Sequence, residues 1–385
     1  MPRAITAASA ALLLGFACLV QAAPPAQIDV MTQNQYLGAD LTPVVDAGAR
    51  QPFDPVAFNT AVITALAQVA ANLPEQRQVA LAREIAGRSP HVVGLQEVFE
   101  FSCQGHGCAY QAISGAFSDH LSGTLDALGG RYVAVATVRN LNVTLPIVTP
   151  VGSAYVTVLD RDVILVRRDV APTATVVPFG LYCSYPSLDG CNYDVVAEAS
   201  IDGNPLRIER GFVGVNLTVS GRDYRIVNTH LEVREPAAGN PFSRYFQSAQ
   251  AYQLVQSAAA ALEPGRRLVV VGDFNSAPED AAFGPIVPPY RQMMSAGYTD
   301  AWTMRPGAGK GRGAPVVGLS CCQLEDLSNR KSMLYERIDL LFALTRPAKV
   351  LNARLIGDTV NTKTPPAGLG VWPSDHAAVA ATLRY

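Results

Sequence analysis

The chain alternates between short apolar runs of strand length and longer segments with apolar residues at helical spacing. Residues 268–271, LVVV, form one such run, which leads directly into Gly-Asp-Phe-Asn at 272–275. An earlier run at 92–95 ends in Gln96 and Glu97. Turn residues could explain one such ending. Because buried runs followed by a carboxylate recur, the pattern indicates strand ends that carry chemistry.

The same periodicities place the other elements. Residues 55–88 are rich in Ala, Leu, Val, Gln and Arg and predict two helices with a break at Leu73 and Pro74. Further segments predict a short strand that begins at 27 and ends at the polar residues 32–35, and β-structure at 137–168 with two strand-like runs around Asp160-Arg161-Asp162. A hairpin about 220–223 and a helix at 243–262 are also predicted. Helices thus alternate with clusters of strands, which predicts an α/β fold.

Composition narrows the class of protein. The 385 residues are 49% hydrophobic, enough for a substantial core, and the net charge is −2. Binding driven by bulk positive charge is therefore excluded, and nucleic acid would need a local patch of residues such as Arg139, Arg161, Arg244 and Arg312. The Gly-rich residues 305–315 lack P-loop spacing and predict a flexible loop. Phosphate contacts by Arg305, Lys310 and Arg312 are the alternative there.

Residues 1–23 predict a secretory signal peptide. One Arg precedes a long apolar run, and small residues follow, so cleavage is expected near Ala22 or Ala23. A membrane anchor and lipid attachment at Cys18 are the alternatives, but the run is short for a span of about 20 residues. We expect a secreted or periplasmic protein with residues 24–385 as one catalytic domain.

Cysteine usage agrees with export. Six cysteines remain after removal of the signal, and an even number in an exported chain predicts disulfides. Local spacing favours Cys103–Cys108 and Cys183–Cys191. The adjacent Cys321 and Cys322 either form a strained bridge or stay reduced. A zinc site is the other interpretation, but no histidines accompany the cysteines at ligand spacing.

Polar residues near the ends of the apolar runs suit metal-assisted phosphate chemistry, which needs carboxylate and amide oxygens together with imidazoles. These residues are Asn34, Glu97, His230, Asp273, Asn275, Asp375 and His376. Each could by itself be a cap, a turn former or a structural histidine. Together they predict a shared cleft at one edge of a sheet, whereas His91, His106 and His120 have no such context.

The order and spacing of these motifs resemble the endonuclease/exonuclease/phosphatase superfamily, the DNase I-like metal-dependent phosphoesterases. The resemblance spans nearly all of the mature chain, through MTQNQ, PHVVGLQEV, VNTHLE, VVVGDFNSAP, ERIDLLF and SDHAAV. It implies a four-layer α-β-β-α sandwich, in which two mixed β-sheets pack face to face with helices outside.

The resemblance also implies a role for each residue. Glu97 would bind the catalytic cation with Asn34 close by, and Asp273, Asp339 and Asp375 would complete the metal cluster. Asp273 would activate the water, and Asn275 would orient it. His376 would pair with Asp375 as the acid–base unit. His230 would bind the scissile phosphate with support from Asp160 or, less securely, Asp162. Mg²⁺ suits such oxygens, with Mn²⁺ or Ca²⁺ as alternatives.

Departures from the family pattern concern substrate choice. His91 stands where the family often has Asp, a disulfide loop is expected near 101–108, and residues 318–340 resemble a group of exported bacterial members. We expect an exported phosphodiester hydrolase, with a DNase I-like nuclease slightly ahead. A sphingomyelinase-like phospholipid phosphodiesterase, suggested by the apolar residues 141–155, is the alternative, and an inositol-phosphate phosphatase the third. A monomer without an obligate protein partner is expected.

Overall fold

A computed structural model of the chain describes residues 27–234, 242–308, 318–366 and 369–385. The predicted signal peptide, with Cys18, lies outside these ranges, as do Lys310 and Arg312.

The described helices and strands alternate along the chain. The helices are α1 (Thr42–Ala49), α2 (Pro55–Ala71), α3 (Pro74–Arg88), α4 (His120–Ala127), α5 (Ser243–Ala258) and α6 (Pro289–Ser295). The first strands are β1 (Gln27–Asn34), β2 (Val92–Gln96), β3 (Glu100–Gln104), β4 (Tyr132–Thr149), β5 (Gly152–Arg167), β6 (Thr175–Val176), β7 (Tyr185–Ser187) and β8 (Gly190–Asn192). The others are β9 (Ala197–Ile201), β10 (Asn204–Ile208), β11 (Gly211–Val219), β12 (Arg222–His230), β13 (Arg267–Asp273), β14 (Thr299–Asp300), β15 (Asp339–Ala343), β16 (Lys349–Ile356) and β17 (Ala378–Arg384).

Most strands form two mixed sheets. The first has the order β16-β17-β1-β2-β5-β3, with β4 on β5, and its β1 and β2 are parallel. The second has the order β14-β15-β13-β12-β11-β8-β7, with β6 on β11, and its β12 and β13 are parallel. Strands β9 and β10 form a separate hairpin.

The buried apolar residues separate four layers. Between the sheets, Val92 and Ile164 of the first sheet pack with Ile226 and Val271 of the second. Outside the first sheet, Ile85 of α3 packs with strand residues of β2 and β5. Outside the second sheet, a cluster holds Leu254 of α5 and Met293 of α6 together with residues of β12, β13 and β15. The predicted four-layer sandwich of two mixed sheets is therefore confirmed.

The break between α2 and α3 falls where the local sequence predicts it. Leu73 has a left-handed φ of 50° between α2 and α3, at the predicted position. No single described helix is long and apolar enough to cross a membrane, although the bent pair α2 and α3 passes that test together.

The prediction of two strands around Asp160-Arg161-Asp162 is wrong. One strand, β5, passes through them because bulges in β4 absorb the irregularity.

A polar bridge fixes the two sheets relative to each other. Asn228 of β12 donates from Nδ2 to the carbonyl of Leu95 at 2.8 Å and to that of Val163 at 3.2 Å, both in the first sheet. Its Oδ1 accepts from Gln96 at 2.5 Å. These buried bonds lie one residue from the end of β2. They therefore fix the alignment of the strand ends of both sheets.

The raised pKa of Glu84, on α3, predicts that the free energy of unfolding falls as pH rises. Burial, with the nearby charge of Asp358, raises the pKa of Glu84 to about 8 from 4.5. As pH rises from the lower value to the higher, the unfolded chain releases this proton before the folded chain does, so the folded state loses stability across that window. Glu84→Gln should therefore raise the free energy of unfolding by about 1 kcal/mol or more at pH 8, and by less near pH 5. Thermal unfolding at both pH values measures this, and Glu75→Gln, on the exposed face of α3, should show no such gain.

Candidate active site

Sheet topology brings the polar strand ends to one edge of the sandwich. The parallel strands β1, β2, β12 and β13 all end there. Their antiparallel neighbours β5, β11, β15 and β17 pass through or begin at the same edge. Asp339 therefore lies directly across from Asp273. Asp375 and His376 precede β17 rather than ending a strand, which corrects the interpretation from sequence.

Asn34 and Glu97 stand at the ends of the first sheet's parallel strands. Asn34 donates from Nδ2 to Glu97 Oε1 and to Asp273 Oδ2, each at 3.1 Å, and its own Oδ1 accepts from the Tyr36 amide. Glu97 Oε2 accepts from the Leu37 amide at 2.9 Å. Because the nitrogen of Asn34 faces the carboxylates, this residue orients two of them.

Two site residues have a strained backbone. Glu97 has φ 52° and Asn275 has φ 48°, in the left-handed region. Asn visits this region readily, whereas Glu pays about 1–2 kcal/mol for it. Such strain is retained where the surrounding structure holds a functional side chain in place. It turns the Glu97 carboxylate into the cleft directly after β2.

Close approach of β12 and β13 joins His230 to Asp273. Thr229 and Gly272 are paired in register one residue before them, and a Cβ on Gly272 would overlap the Thr229 carbonyl oxygen. His230 Nε2 lies 3.5 Å from Asp273 Oδ2, and Asn275 Nδ2 lies 3.2 Å from the same nitrogen. Asn275 also donates its backbone N–H to Asp273 Oδ1 at 2.9 Å. The three predicted residues therefore meet.

The hydrogen-bond partner of His376 is Asp339. His376 Nδ1 lies 2.8 Å from Asp339 Oδ2, whereas its Nε2 is 3.9 Å from Asp375 Oδ1. The hydrogen bond to the ring is therefore made by Asp339, and the predicted partner Asp375 makes a longer ion pair with it. The same Nε2 lies 3.8 Å from Asp273 Oδ2. Asp339 thus orients the ring, and Nε2 points into the cleft.

Arg210 is a site residue that sequence reasoning missed. Its Nη1 lies 3.0 Å from His230 Nδ1 and 3.3 Å from Nε2, and its Nη2 lies 4.0 Å from Glu232 Oε1. No hydrogen bond joins Asp160 to His230 within the described ranges, so the predicted direct support is absent. Asn140 donates to Asp162 instead, at 2.9 Å. Its place in the sequence could have identified Arg210, because this residue directly precedes a strand that begins at the edge of the site.

The site holds more carboxylates than its own cations neutralise. Burial, together with neighbouring carboxylates, raises the pKa of Asp273 to about 7, of Asp375 to about 6 and of Asp160 to about 7. Burial opposes protonation of His376, but Asp339, Asp375 and Asp273 outweigh it and raise its pKa well above the ordinary value. Burial and the positive charge of Arg210 hold the pKa of His230 well below it. The two imidazoles are thus set for opposite protonation states.

The residues fit a divalent cation. Ligand atoms of Asp273, Asp339 and His376 lie within 4.8 Å of one another, and Asp339 Oδ1 is buried with no hydrogen-bond partner among the described residues. Glu97 and Asp375 add carboxylate oxygens to the same edge. Hard oxygen donors in this number suit Mg²⁺.

Four cysteines pair as local spacing predicted, and Cys321 and Cys322, for which two states were expected, are bridged. The structure joins Cys103 to Cys108, Cys183 to Cys191 and the adjacent Cys321 to Cys322. Cys322 Sγ lies 4.0 Å from His376 Nε2, but the bridged Cys321 and Cys322 offer no thiolate to a metal. Sequence spacing could not reveal this histidine, which follows 54 residues after Cys322.

The surroundings give the predicted basic cleft weak support. Arg161 is paired with Asp119 and with Glu100, whereas Arg139 is exposed in a cleft of about 630 Å³ that is lined by both polar and apolar side chains. The apolar segment 141–155 is a hairpin with two faces. Ile147 and Ala154 are buried, whereas Val148, Val151 and Tyr155 are more than half exposed.

Carboxylates and imidazoles gathered at one edge of a sandwich of two mixed sheets are groups that metal-assisted phosphoester hydrolysis uses. The model of the Endonuclease/Exonuclease/phosphatase family matches residues 56–376. The chain therefore belongs to this family and is a hydrolytic phosphoesterase. Members of the family generally depend on divalent cations.

The chain is similar to several solved structures. A family protein from Bacteroides thetaiotaomicron is 17% identical, with a TM-score of 0.51, over 94% of this chain and 99% of its own. The human nocturnin catalytic domain is 17% identical, with a TM-score of 0.46, over 93% of both chains. TDP2 from C. elegans is 16% identical, with a TM-score of 0.46, over 93% of this chain and 75% of its own. No curated protein is significantly similar in sequence.

Proposed function

We propose that the chain hydrolyses phosphodiester bonds at this edge, with Asp273 as the acceptor of the proton from the attacking water. The observation that carries the proposal is the position of Asp273 Oδ2, 3.5 Å from His230 and 3.8 Å from His376. A carboxylate between two imidazoles can accept a proton while the rings contact the phosphate on either side.

The other side chains donate a proton, bind the phosphate and hold the cation. His376, held by Asp339, directs Nε2 at the phosphate and donates to the oxygen that gains charge. His230, with Asn275 and Arg210, binds a non-bridging oxygen and holds the phosphate for in-line attack. Glu97, Asp273, Asp339 and Asp375 would hold Mg²⁺, with Asn34 as their orienting residue. The ion would neutralise phosphate charge.

Export and oligomeric state belong to the same proposal. A cleaved signal at residues 1–23 would deliver the protein to the periplasm or medium as a monomer, where two local disulfides would form. Mass spectrometry of the mature protein from a secreting host tests this. An intact Met1 would contradict it.

Of the three substrate classes expected from the sequence, nucleic acid and phospholipid each have a supporting observation. The exposed Arg139 in a surface cleft favours nucleic acid, whereas pairing of Arg161 with two acids removes part of the predicted basic patch. The exposed tip of the β4–β5 hairpin, Val148, Val151 and Tyr155, favours a phospholipid.

One experiment tests the reaction and separates these substrates. Bis(4-nitrophenyl) phosphate, plasmid DNA and sphingomyelin are incubated with the protein in Mg²⁺, with EDTA as control. Hydrolysis of the small diester that stops with EDTA supports the proposal, and no hydrolysis of any of the three overturns it. DNA cleavage that falls steeply between about 50 and 200 mM salt would identify a nuclease.

Glu97→Gln should raise the Mg²⁺ concentration needed for half-maximal activity by about tenfold or more, because an amide replaces a carboxylate ligand. Titration of Mg²⁺ against hydrolysis of the small diester measures this. Glu100→Gln, a neighbouring acid paired with Arg161, is the control. An unchanged requirement in the Glu97 variant would remove Glu97 from the cation site.

A further inference from the structure

An apolar cavity of about 130 Å³ lies between helices α1 and α2, the β4–β5 hairpin and the β9–β10 hairpin. Its lining side chains are all Leu, Val, Ile, Ala or Phe. Its size is close to that of an apolar cavity of about 150 Å³ that stays dry and binds benzene. The cavity can therefore hold a hydrocarbon segment of about five or six carbons.

Strand β5 runs from the wall of the cavity to the catalytic edge. Val156 and Val158 line the cavity, and Asp160 follows on the same face because side chains alternate along a strand. Neighbours on one face are about 7 Å apart along the strand. Across the hairpin, Leu141 lines the cavity and is paired with Asp160.

Two more segments connect the cavity to the site. Ile208 lines the cavity two residues before Arg210, which contacts His230. Leu41 lines it four residues after Leu37, whose amide donates to Glu97. The chain spans at most about 3.5 Å per residue, so these lining residues lie within about 7 Å and 14 Å of residues that contact the site. A substrate with its phosphate at the edge can reach the cavity with an attached group.

We propose that this cavity binds a hydrocarbon chain of a phospholipid substrate. This inference rests on the proposed phosphodiesterase function and assigns its substrate class. A nucleobase does not fit the lining, because its polar edges would lose water without gaining a hydrogen bond. A hydrocarbon chain has no such cost, and the acyl chains of one bilayer leaflet span about 15 Å, enough to cover the distance from the site.

A variant that fills the cavity tests the assignment. Ala199→Phe on β9 places a ring among the lining residues, and Thr144→Phe adds the same ring to the exposed opposite face of the β4–β5 hairpin as a control. Each methylene excluded from an apolar site weakens binding by about fourfold. In Ala199→Phe, the ratio of kcat/KM for long-chain sphingomyelin to that for bis(4-nitrophenyl) phosphate should fall at least about tenfold. Thr144→Phe should keep the wild-type ratio.

A binding measurement keeps this test separate from catalysis. The fluorescent fatty acid cis-parinaric acid should bind the wild type and the Thr144→Phe protein and should bind Ala199→Phe at least about tenfold more weakly. If Ala199→Phe fails to fold, Ala199→Leu makes a smaller change, and about a threefold loss is expected. Equal parinarate binding by wild type and filled variant would overturn the cavity assignment. Failure to hydrolyse any diester, with the binding difference intact, would overturn only the proposed function.

Discussion

His376→Ala is expected to lower kcat for phosphodiester hydrolysis by about 10²–10⁴-fold, because it removes a proton donor aimed into the cleft. Asp273→Asn should cost at least about 10²-fold, because an amide cannot accept the proton of the attacking water. Steady-state kinetics on bis(4-nitrophenyl) phosphate at saturating Mg²⁺ measure both effects.

His106→Ala is the matched control, since this histidine is exposed on a short turn between β3 and α4. It should keep wild-type kcat. Far-ultraviolet circular dichroism and thermal unfolding show whether the site variants remain folded. A folded His376→Ala protein with full activity would end its assignment as the proton donor.

Asp339→Asn is expected to lower kcat by about 10²-fold or more, because the Asp339 carboxylate holds His376 Nδ1 at 2.8 Å. An amide in its place no longer supplies the negative charge that favours the protonated ring, and it can present an N–H toward Nδ1. Asp375→Asn, with its oxygen 3.9 Å from Nε2, should act mainly by raising the Mg²⁺ requirement. Kinetics with varied substrate and varied Mg²⁺ separate the two variants.

Nuclear magnetic resonance of the ring nitrogens of His376 provides a readout independent of turnover. In the wild type and in Asp375→Asn, Nδ1 should carry the proton and show a strong hydrogen bond. In Asp339→Asn that signature should be lost. Its loss in the Asp375 variant alone would restore the pairing with Asp375.

The sequence by itself determined the parts of this protein that depend on local order. Apolar runs in the sequence indicate buried strands. The polar residues at or directly after their ends could therefore be identified without coordinates, namely Asn34, Glu97, His230 and Asp273. The helix break at Leu73 follows from the proline after it. The bridges Cys103–Cys108 and Cys183–Cys191 close loops short enough for spacing to indicate them. Motif order was sufficient for the family and its four layers.

Tertiary structure alone decided which of these residues touch. Asp339 begins β15 and Asp375 precedes β17 at the same edge, and only the packing of the two sheets on each other places Asp339 at 2.8 Å from His376 Nδ1. Arg210 lies in no recognisable motif, because it precedes the antiparallel strand β11 instead of ending a parallel strand. The apolar residues 141–155 divide between two faces of a hairpin, and packing against α2 turns several of them into the wall of a cavity. A linear pattern records which residues are apolar or charged, whereas the third dimension determines which face they occupy and what lies opposite.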